Sequence, residues 1–176
     1  MSATITSSTS SSLKDDEAGK VTITSIPQVR VLALRGVVAN YRAQTQLWSE
    51  LTAFCEAHRI AIAGACFTID YNREYKPKDV DLEVCLPISV ETEIPAPEDP
   101  SWGKIQEREL PAIPKAAVIT HLGNYDGLPP VYEMLYKWIS DNSHTPNGLV
   151  REVYLHMDPC DTTEASCITQ VQQPIA

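Results

Sequence analysis

The stretch that decides the fold of this 176-residue chain is residues 121–135, HLGNYDGLPPVYEML. Its pattern predicts the end of a strand, a tight turn at residues 123–125 and a helix that begins within residues 126–130. Glycine accepts left-handed backbone angles, and proline is tolerated in the first turn of a helix. From Val131 onward, apolar residues recur at helical spacing, which supports the helix.

An earlier stretch of the chain repeats this pattern. A shift of 84 residues aligns Asn40-Tyr41 with Asn124-Tyr125. The same shift aligns Ile26-Pro27 with Leu110-Pro111, Val29 with Ile113, Leu47 with Val131, Trp48 with Tyr132, Leu51 with Leu135, Phe54 with Trp138 and Gly64 with Gly148. Two copies of one unit are therefore predicted, and this repeat determines the fold class.

Each copy is predicted as a β-α-β-β unit. The first, at residues 21–88, begins with a strand from residue 21 to about residue 35. The second unit covers residues 104–176, and the acidic, proline-bearing residues 89–103 are predicted to link the two. We expect an α+β fold in which tandem units, related by a pseudo-two-fold axis, form an antiparallel sheet with helices on one face. A central ligand cleft would lie where the units meet.

The domain organisation follows from composition. Residues 1–20 are rich in Ser and Thr and then charged, which predicts a disordered tail. Residues 21–176 are predicted to form a single domain. Only this short tail precedes the domain, with no DNA-binding helix-turn-helix, so we expect a stand-alone domain rather than a complete one-component regulator.

Charge and cysteine usage narrow the class of protein. The net charge is -9 and no basic cluster occurs, which argues against direct nucleic-acid binding. The five cysteines form no C-x-x-C pair, and the chain shows neither a signal peptide nor an apolar run of about 18 residues. We therefore expect a cytoplasmic protein with reduced thiols and no membrane segment. His156 and Cys160 lack a second close ligand pair, so we predict no metal and no cofactor.

Residues 149–157 are predicted to form a strand, and alternation separates its two faces. The more apolar face holds Leu149, Val153, Leu155 and Met157 with Arg151 among them, and the other face holds Val150, Glu152, Tyr154 and His156. We expect the helices to pack on the more apolar face, which would leave Glu152 on the open side of the sheet.

Glu152 is the distinctive charge of this strand. Its counterpart in the first copy is Thr68, so only the second copy carries a carboxylate at this place. Because a buried carboxylate is costly without a partner, two interpretations are open. In the first, Glu152 binds a positive or hydrogen-bonding ligand. In the second, it lies on a solvated strand face or forms an ion pair with Arg151 or Arg35.

The chain resembles the GyrI-like small-molecule-binding domain, which is the effector-binding domain of AraC-type and MerR-type multidrug regulators. The resemblance covers residues 21–175, and the motifs of the second copy are its specific part. The matching residues are Pro27, Arg30-Val31, residues 36–41 and Trp48 in the first copy, and His121, Gly123, Tyr125, Gly127-Leu128, residues 151–155 and Asp158-Pro159 in the second. The resemblance implies an SHS2-like fold of two β-α-β-β units around a central cleft.

The resemblance also implies a site. In multidrug-binding relatives, a glutamate at the position of Glu152 meets the positive charge of lipophilic cations, and aromatic side chains stack around the ligand. Carried over, Glu152 is the anchor and Tyr154 is a wall on the same face. Tyr71, Trp48 and His121 are further wall candidates, although Trp48 also fits the core stripe of its helix.

Three functions remain open at this point. The first is a stand-alone binding protein for lipophilic, cationic small molecules, with a separate transcription regulator as a candidate partner. The second is a hydrolase of strained electrophilic compounds, in which Glu152 is the general base and Tyr154 or Trp48 assists. The third is a protein-interaction module of the gyrase-inhibitor type.

Overall fold

The computed structural model describes residues 18–158 and 160–176. Residues 1–17 of the predicted disordered tail lie outside the described residues. The described elements are β1 (Thr22–Ile26), β2 (Val29–Val38), α1 (Thr45–Ala57), β3 (Phe67–Asp70), β4 (Val80–Pro87), β5 (Gln106–Leu110), β6 (Ile113–Leu122), α2 (Leu128–Asp141), β7 (Arg151–His156) and β8 (Ile168–Pro174). The predicted α+β class is confirmed.

The strands form one antiparallel sheet whose order is β1-β6-β8-β7-β3-β4-β2-β5. The bounds of β1 and β5, and of β2 and β6, differ by the predicted 84 residues. At the centre of the sheet β3 pairs with β7, and Thr68 lies opposite Glu152, its counterpart under the same shift. The predicted pseudo-two-fold axis therefore passes through the Thr68–Glu152 pair.

Each unit contains one more strand than predicted. The segment predicted as a single strand from residue 21 is divided at Pro27 into β1 and β2, and the second unit is divided at Pro111 in the same way. Proline has no N–H to donate to a strand ladder, so pairing stops there. After the break the chain changes partners. β1 pairs with β6 of the second unit, and β5 pairs with β2 of the first, so the two units exchange their first strands.

Both helices lie on one face of the sheet. α1 contributes Leu51 and Phe54 to a core with Leu32 and Leu34 of β2. α2 contributes Leu135 and Ile139 to a separate core with Ala117, Ile119 and Val171. The register places Leu34, Val84, Thr68, Glu152, Val171 and Ile119 side by side across the sheet. Glu152 therefore lies on the helix-bearing face, between the two helical cores.

The expected position of the helices relative to β7 was wrong. Val153, on the face predicted to carry them, packs on the opposite side of the sheet with Phe67 and Cys85. Leu149, Leu155 and Met157 of that face are 41%, 39% and 49% exposed. The sheet buries apolar residues on both of its faces, so the hydrophobicity of a single strand does not determine which face the helices cover.

The turn before α2 agrees with its sequence pattern. Gly123 has a φ of 108°, in the region that favours glycine. A Cβ at Gly127 would lie 2.6 Å from Cε1 of His121, so the ring can occupy this place only because the residue is glycine. Proline occupies the first turn of α2, as predicted.

None of the helices in the described ranges is long and apolar enough to cross a membrane.

Candidate functional site

Glu152 is held by hydroxyl groups rather than by a basic side chain. Tyr132 of α2 donates a hydrogen bond of 2.6 Å to Oε1, and Tyr154 donates one of 3.3 Å to Oε2. Within residues 18–158 and 160–176, Glu152 forms no salt bridge. Arg35 is paired with Asp81, and Arg151 points to the opposite face. The ion pair considered from the sequence is therefore absent.

Burial raises the pKa of the Glu152 carboxyl above its ordinary value. The hydrogen bonds from Tyr132 and Tyr154 oppose this shift, whereas the charge of Asp70 adds to it. A carboxyl group whose pKa is higher in the folded state favours the folded state less once it is ionised. Ionised Glu152 is thus a destabilising group for which a cation would compensate.

We expect Glu152→Gln to gain stability relative to the wild type as the pH rises. Below the unfolded-state pKa of about 4.3, Glu152 is protonated in both states and the difference between the proteins is smallest. As the pH rises from there through the higher folded-state pKa, the wild type loses stability that the glutamine variant keeps. Urea denaturation at pH 4 and pH 8 measures the effect. Glu133→Gln, on the exposed side of α2, is the matched control, and an equal difference at both pH values would contradict the prediction.

Gln44, which immediately precedes α1, connects that helix to the central strands. Its Oε1 accepts hydrogen bonds from Oγ1 of Thr68 at 2.7 Å and Nε1 of Trp48 at 3.3 Å, and the hydroxyl oxygen of Tyr154 lies 3.4 Å from it. We call Gln44, Trp48, Thr68, Tyr132, Glu152 and Tyr154 the Glu152 cluster. It joins both helices to the β3–β7 pair, so side chains from both halves of the domain meet at Glu152.

Aromatic rings surround the carboxylate. The ring of Tyr154 makes edge contacts with Trp48 and with Tyr125, each at a centroid distance of 6.0 Å. On α2, Tyr132 stacks on Tyr136 at 6.3 Å. The electron-rich faces of such rings attract cations and flat apolar groups. The carboxylate of Glu152 therefore lies in a largely aromatic environment.

A second carboxylate, Asp70, lies two residues beyond Thr68 on the same face of β3. The hydroxyl of Tyr41 donates to its Oδ2 at 3.3 Å, and Asn72 donates to its Oδ1. In the described part of the chain Asp70 also forms no salt bridge. Burial raises the pKa of Tyr136 and of Glu152, and the charge of Asp70 adds to both shifts.

The structure brings together three of the five residues selected from the sequence: Glu152, Tyr154 and Trp48. His121 lies elsewhere, where its Nε2 is 2.7 Å from the backbone oxygen of Asn124. Tyr71 lies on the opposite face of the sheet, where its hydroxyl donates to Glu83 at 2.6 Å. Neither His121 nor Tyr71 belongs to the Glu152 cluster.

Sequence reasoning missed Tyr132, which makes the shorter hydrogen bond to Glu152. The sequence contained a signal for it. The 84-residue shift pairs Tyr132 with Trp48, which implies that each helix contributes one aromatic side chain to the wall of the site. Tyr125 was assigned to the turn, yet its ring also contacts Tyr154. No sequence pattern indicated Gln44. Within the described residues no three metal-ligating side chains come together, so nothing there suggests how a metal ion would be held.

The family model described as the GyrI-like small molecule binding domain matches residues 19–176. The chain belongs to this family. The GyrI-like domain matches none of the proteins with curated descriptions.

Two solved structures with this fold come from EcmrR. The C-terminal domain of EcmrR is 25% identical with a TM-score of 0.76, over 89% of this chain and 97% of that one. EcmrR in a complex with DNA gives 26% identity and a TM-score of 0.77, over 89% of this chain and 57% of that one.

Two more distant structures share the fold alone. SAV2435 bound to tetraphenylphosphonium is 13% identical with a TM-score of 0.51, over 89% of this chain and 94% of that one. A hydrolase from Listeria innocua is 9% identical with a TM-score of 0.61, over 90% of this chain and 93% of that one.

Proposed function

We propose that this GyrI-like domain binds lipophilic, cationic small molecules at the Glu152 cluster. The observation that carries the proposal is Glu152 itself, a carboxylate whose pKa is raised by burial and whose hydrogen bonds come from the hydroxyls of Tyr132 and Tyr154. A cation that reaches Glu152 gains a charge interaction in a poorly solvated place, where such interactions are strong. An anion of the same shape would be repelled by two carboxylates, Glu152 and Asp70.

The aromatic side chains supply the apolar part of the proposed site. Trp48 from α1 and Tyr132 from α2 lie on either side of Glu152, and Tyr154 lies between them. Such rings offer flat apolar faces to ligands of different shape. The structure of SAV2435 bound to tetraphenylphosphonium shows that this fold can hold a large apolar cation in that relative.

Entry of a ligand requires that part of the cluster opens. The hydroxyl of Tyr132 donates a hydrogen bond to Oε1 of Glu152, and this hydrogen bond links α2 to β7. In the proposed mechanism the cation replaces this hydrogen bond, and α2 moves away from the sheet as Tyr132 turns. Ligand binding would thereby become a change in the position of a helix, which a partner protein can recognise.

A transcription regulator is the candidate partner that we propose. EcmrR, which contains a domain similar to this chain, has been solved in a complex with DNA. The net charge of -9 disfavours direct contact of this chain with DNA, so the regulator would supply the nucleic-acid contact.

The hydrolase hypothesis makes a different prediction for the same residue. Each oxygen of Glu152 accepts one tyrosine hydroxyl here and keeps a lone pair for a proton from water, so the same carboxylate can serve as a cation anchor or as a general base. Incubation of the protein with candidate ligands, followed by mass spectrometry, distinguishes the two functions. Recovery of unchanged ligand supports binding, and accumulation of product supports hydrolysis.

Calorimetric titration with tetraphenylphosphonium between pH 5 and pH 8 tests the proposed function. The cation favours ionised Glu152, so we expect affinity to rise with pH until the site is fully ionised, and protons to be released on binding. Titrations in two buffers with different ionisation enthalpies measure the proton release. No binding, or an affinity that is independent of pH with no proton release, would refute the role of Glu152.

A further inference from the structure

The face of the sheet without helices carries a groove of its own. Its volume is about 520 Å³, and it lies where the ends of β3 and β7 meet the β5–β6 connection. Apolar side chains form most of the wall: Ile69, Leu110, Ile113, Leu149 and Ile175. A space of this size accommodates a small organic molecule.

Arg151 is the unusual residue of this groove. It lines the groove although the residue is only 8% exposed, and its guanidinium carbon lies 5.2 Å from the ring centroid of Phe67. Among the described residues, no side chain or backbone carbonyl accepts a hydrogen bond from Arg151, and none forms a salt bridge with it. None of its nitrogens is among the fully enclosed polar atoms that lack a partner in the described residues, so the guanidinium is open to the groove, where a ligand can reach it.

The neighbouring arginines show what a satisfied group looks like on this face. Arg108 forms an ion pair with the buried Glu83, and Arg35 makes two hydrogen bonds to Asp81 at 2.9 and 2.7 Å. The available carboxylates are therefore already in use. Within the described residues, the guanidinium of Arg151 meets the ring of Phe67 and pairs with no carboxylate.

The lining of the groove is positively charged. Arg108, Lys115 and Arg151 contribute to it, and no acidic side chain among the described residues does. Burial lowers the pKa of Arg151, and the neighbouring charge of Arg108 acts in the same direction. A ligand carboxylate beside Arg151 would relieve both effects.

We propose that this groove binds an apolar small molecule that bears one carboxylate, with the carboxylate on the guanidinium of Arg151. The planar fork of arginine matches the two oxygens of a carboxylate. The hydrocarbon part of the ligand lies against Leu110 and Ile113. Arg151 and Glu152 are consecutive on β7 and point to opposite faces, so this site is independent of the proposed cation site.

Titration with naphthalene-2-carboxylate, and with its neutral amide as a matched probe, tests the proposal. The two molecules have nearly the same shape, so the difference in affinity reports the charge. Because a hydrogen bond to a charged group contributes about 1.5–3 kcal/mol, we expect the amide to bind about tenfold more weakly or worse. Arg151→Gln should weaken carboxylate binding to the level of the amide. Absence of binding to the wild type, or equal affinity of acid and amide, would overturn the proposal.

A second pair of variants covers the case in which Arg151→Gln does not fold. Leu149 lines the groove and is 41% exposed, so the fold tolerates polar groups there. Leu149→Glu places a negative charge at the entrance and should weaken carboxylate binding several-fold, while Leu149→Gln, its uncharged match, should not. Equal affinity of these two variants for the carboxylate would contradict a site in this groove.

Discussion

Glu152→Gln is expected to weaken tetraphenylphosphonium binding by at least about 2 kcal/mol, roughly a factor of 30. The substitution removes the charge that attracts the cation and keeps the size of the side chain. Glutamine retains one oxygen that accepts from one of the two tyrosines, and its amide NH2 can donate to the hydroxyl oxygen of the other, so the cluster should stay assembled. Calorimetry at pH 7.5 measures the loss directly.

The controls for this experiment separate the local charge from the overall charge. Glu133→Gln also removes one carboxylate, but from the exposed side of α2, and should leave the affinity within a factor of two. If Glu152→Gln binds as tightly as the wild type, Glu152 is not the anchor. Asp70→Asn then tests whether the second carboxylate of that face takes the role.

Leu135→Ala is expected to lower the free energy of unfolding by about 2–5 kcal/mol. Leu135 is completely buried in the middle of α2, in contact with the core of the second unit. Its truncation leaves a cavity between α2 and β6 that the surrounding side chains fill only in part. Urea denaturation measures the loss, which is a large fraction of the stability of a typical domain.

The neighbouring residue Met134 provides the comparison. It is 49% exposed on the same helix, and Met134→Ala should change the free energy of unfolding by only about 0.5 kcal/mol. Similar losses for the two variants would mean that helix propensity, rather than core packing, holds α2 on the sheet. A difference of several kcal/mol would confirm that the buried side of α2 supports the helix that carries Tyr132.

Much of the fold could be predicted from the repeat, because a repeated pattern reports on two copies at once. The helices and the 84-residue correspondence followed from local spacing around Asn40 and Asn124. The exchange of β1 and β5 did not, since the pairing of distant strands depends on the whole sheet. Pro27 and Pro111 marked the places where pairing stops, but not where the chain goes next.

The candidate site was predicted less completely. Alternation along β7 correctly separated Arg151 from Glu152, but it could not show which face lies under the helices. Apolar side chains at the exposed ends of the strand, such as Leu155 and Met157, made the wrong face look like the core. Tyr132 could have been predicted from its alignment with Trp48 in the repeat. The role of Gln44 depends on a hydrogen-bond network that the spacing of residues along the sequence does not reveal.

The exchanged first strands make this single chain resemble a domain-swapped homodimer whose two subunits have been fused. In a true homodimer, the residue on the axis would face a copy of itself across the β3–β7 ladder. Two glutamates in that position would repel each other, because like charges directly opposite in a sheet are destabilising. Fusion allows the pair to be Thr68 and Glu152 instead, so one acid can occupy the axis with a neutral neighbour. Covalent linkage thus permits a single acid at the axis, where an assembly of identical subunits would place two.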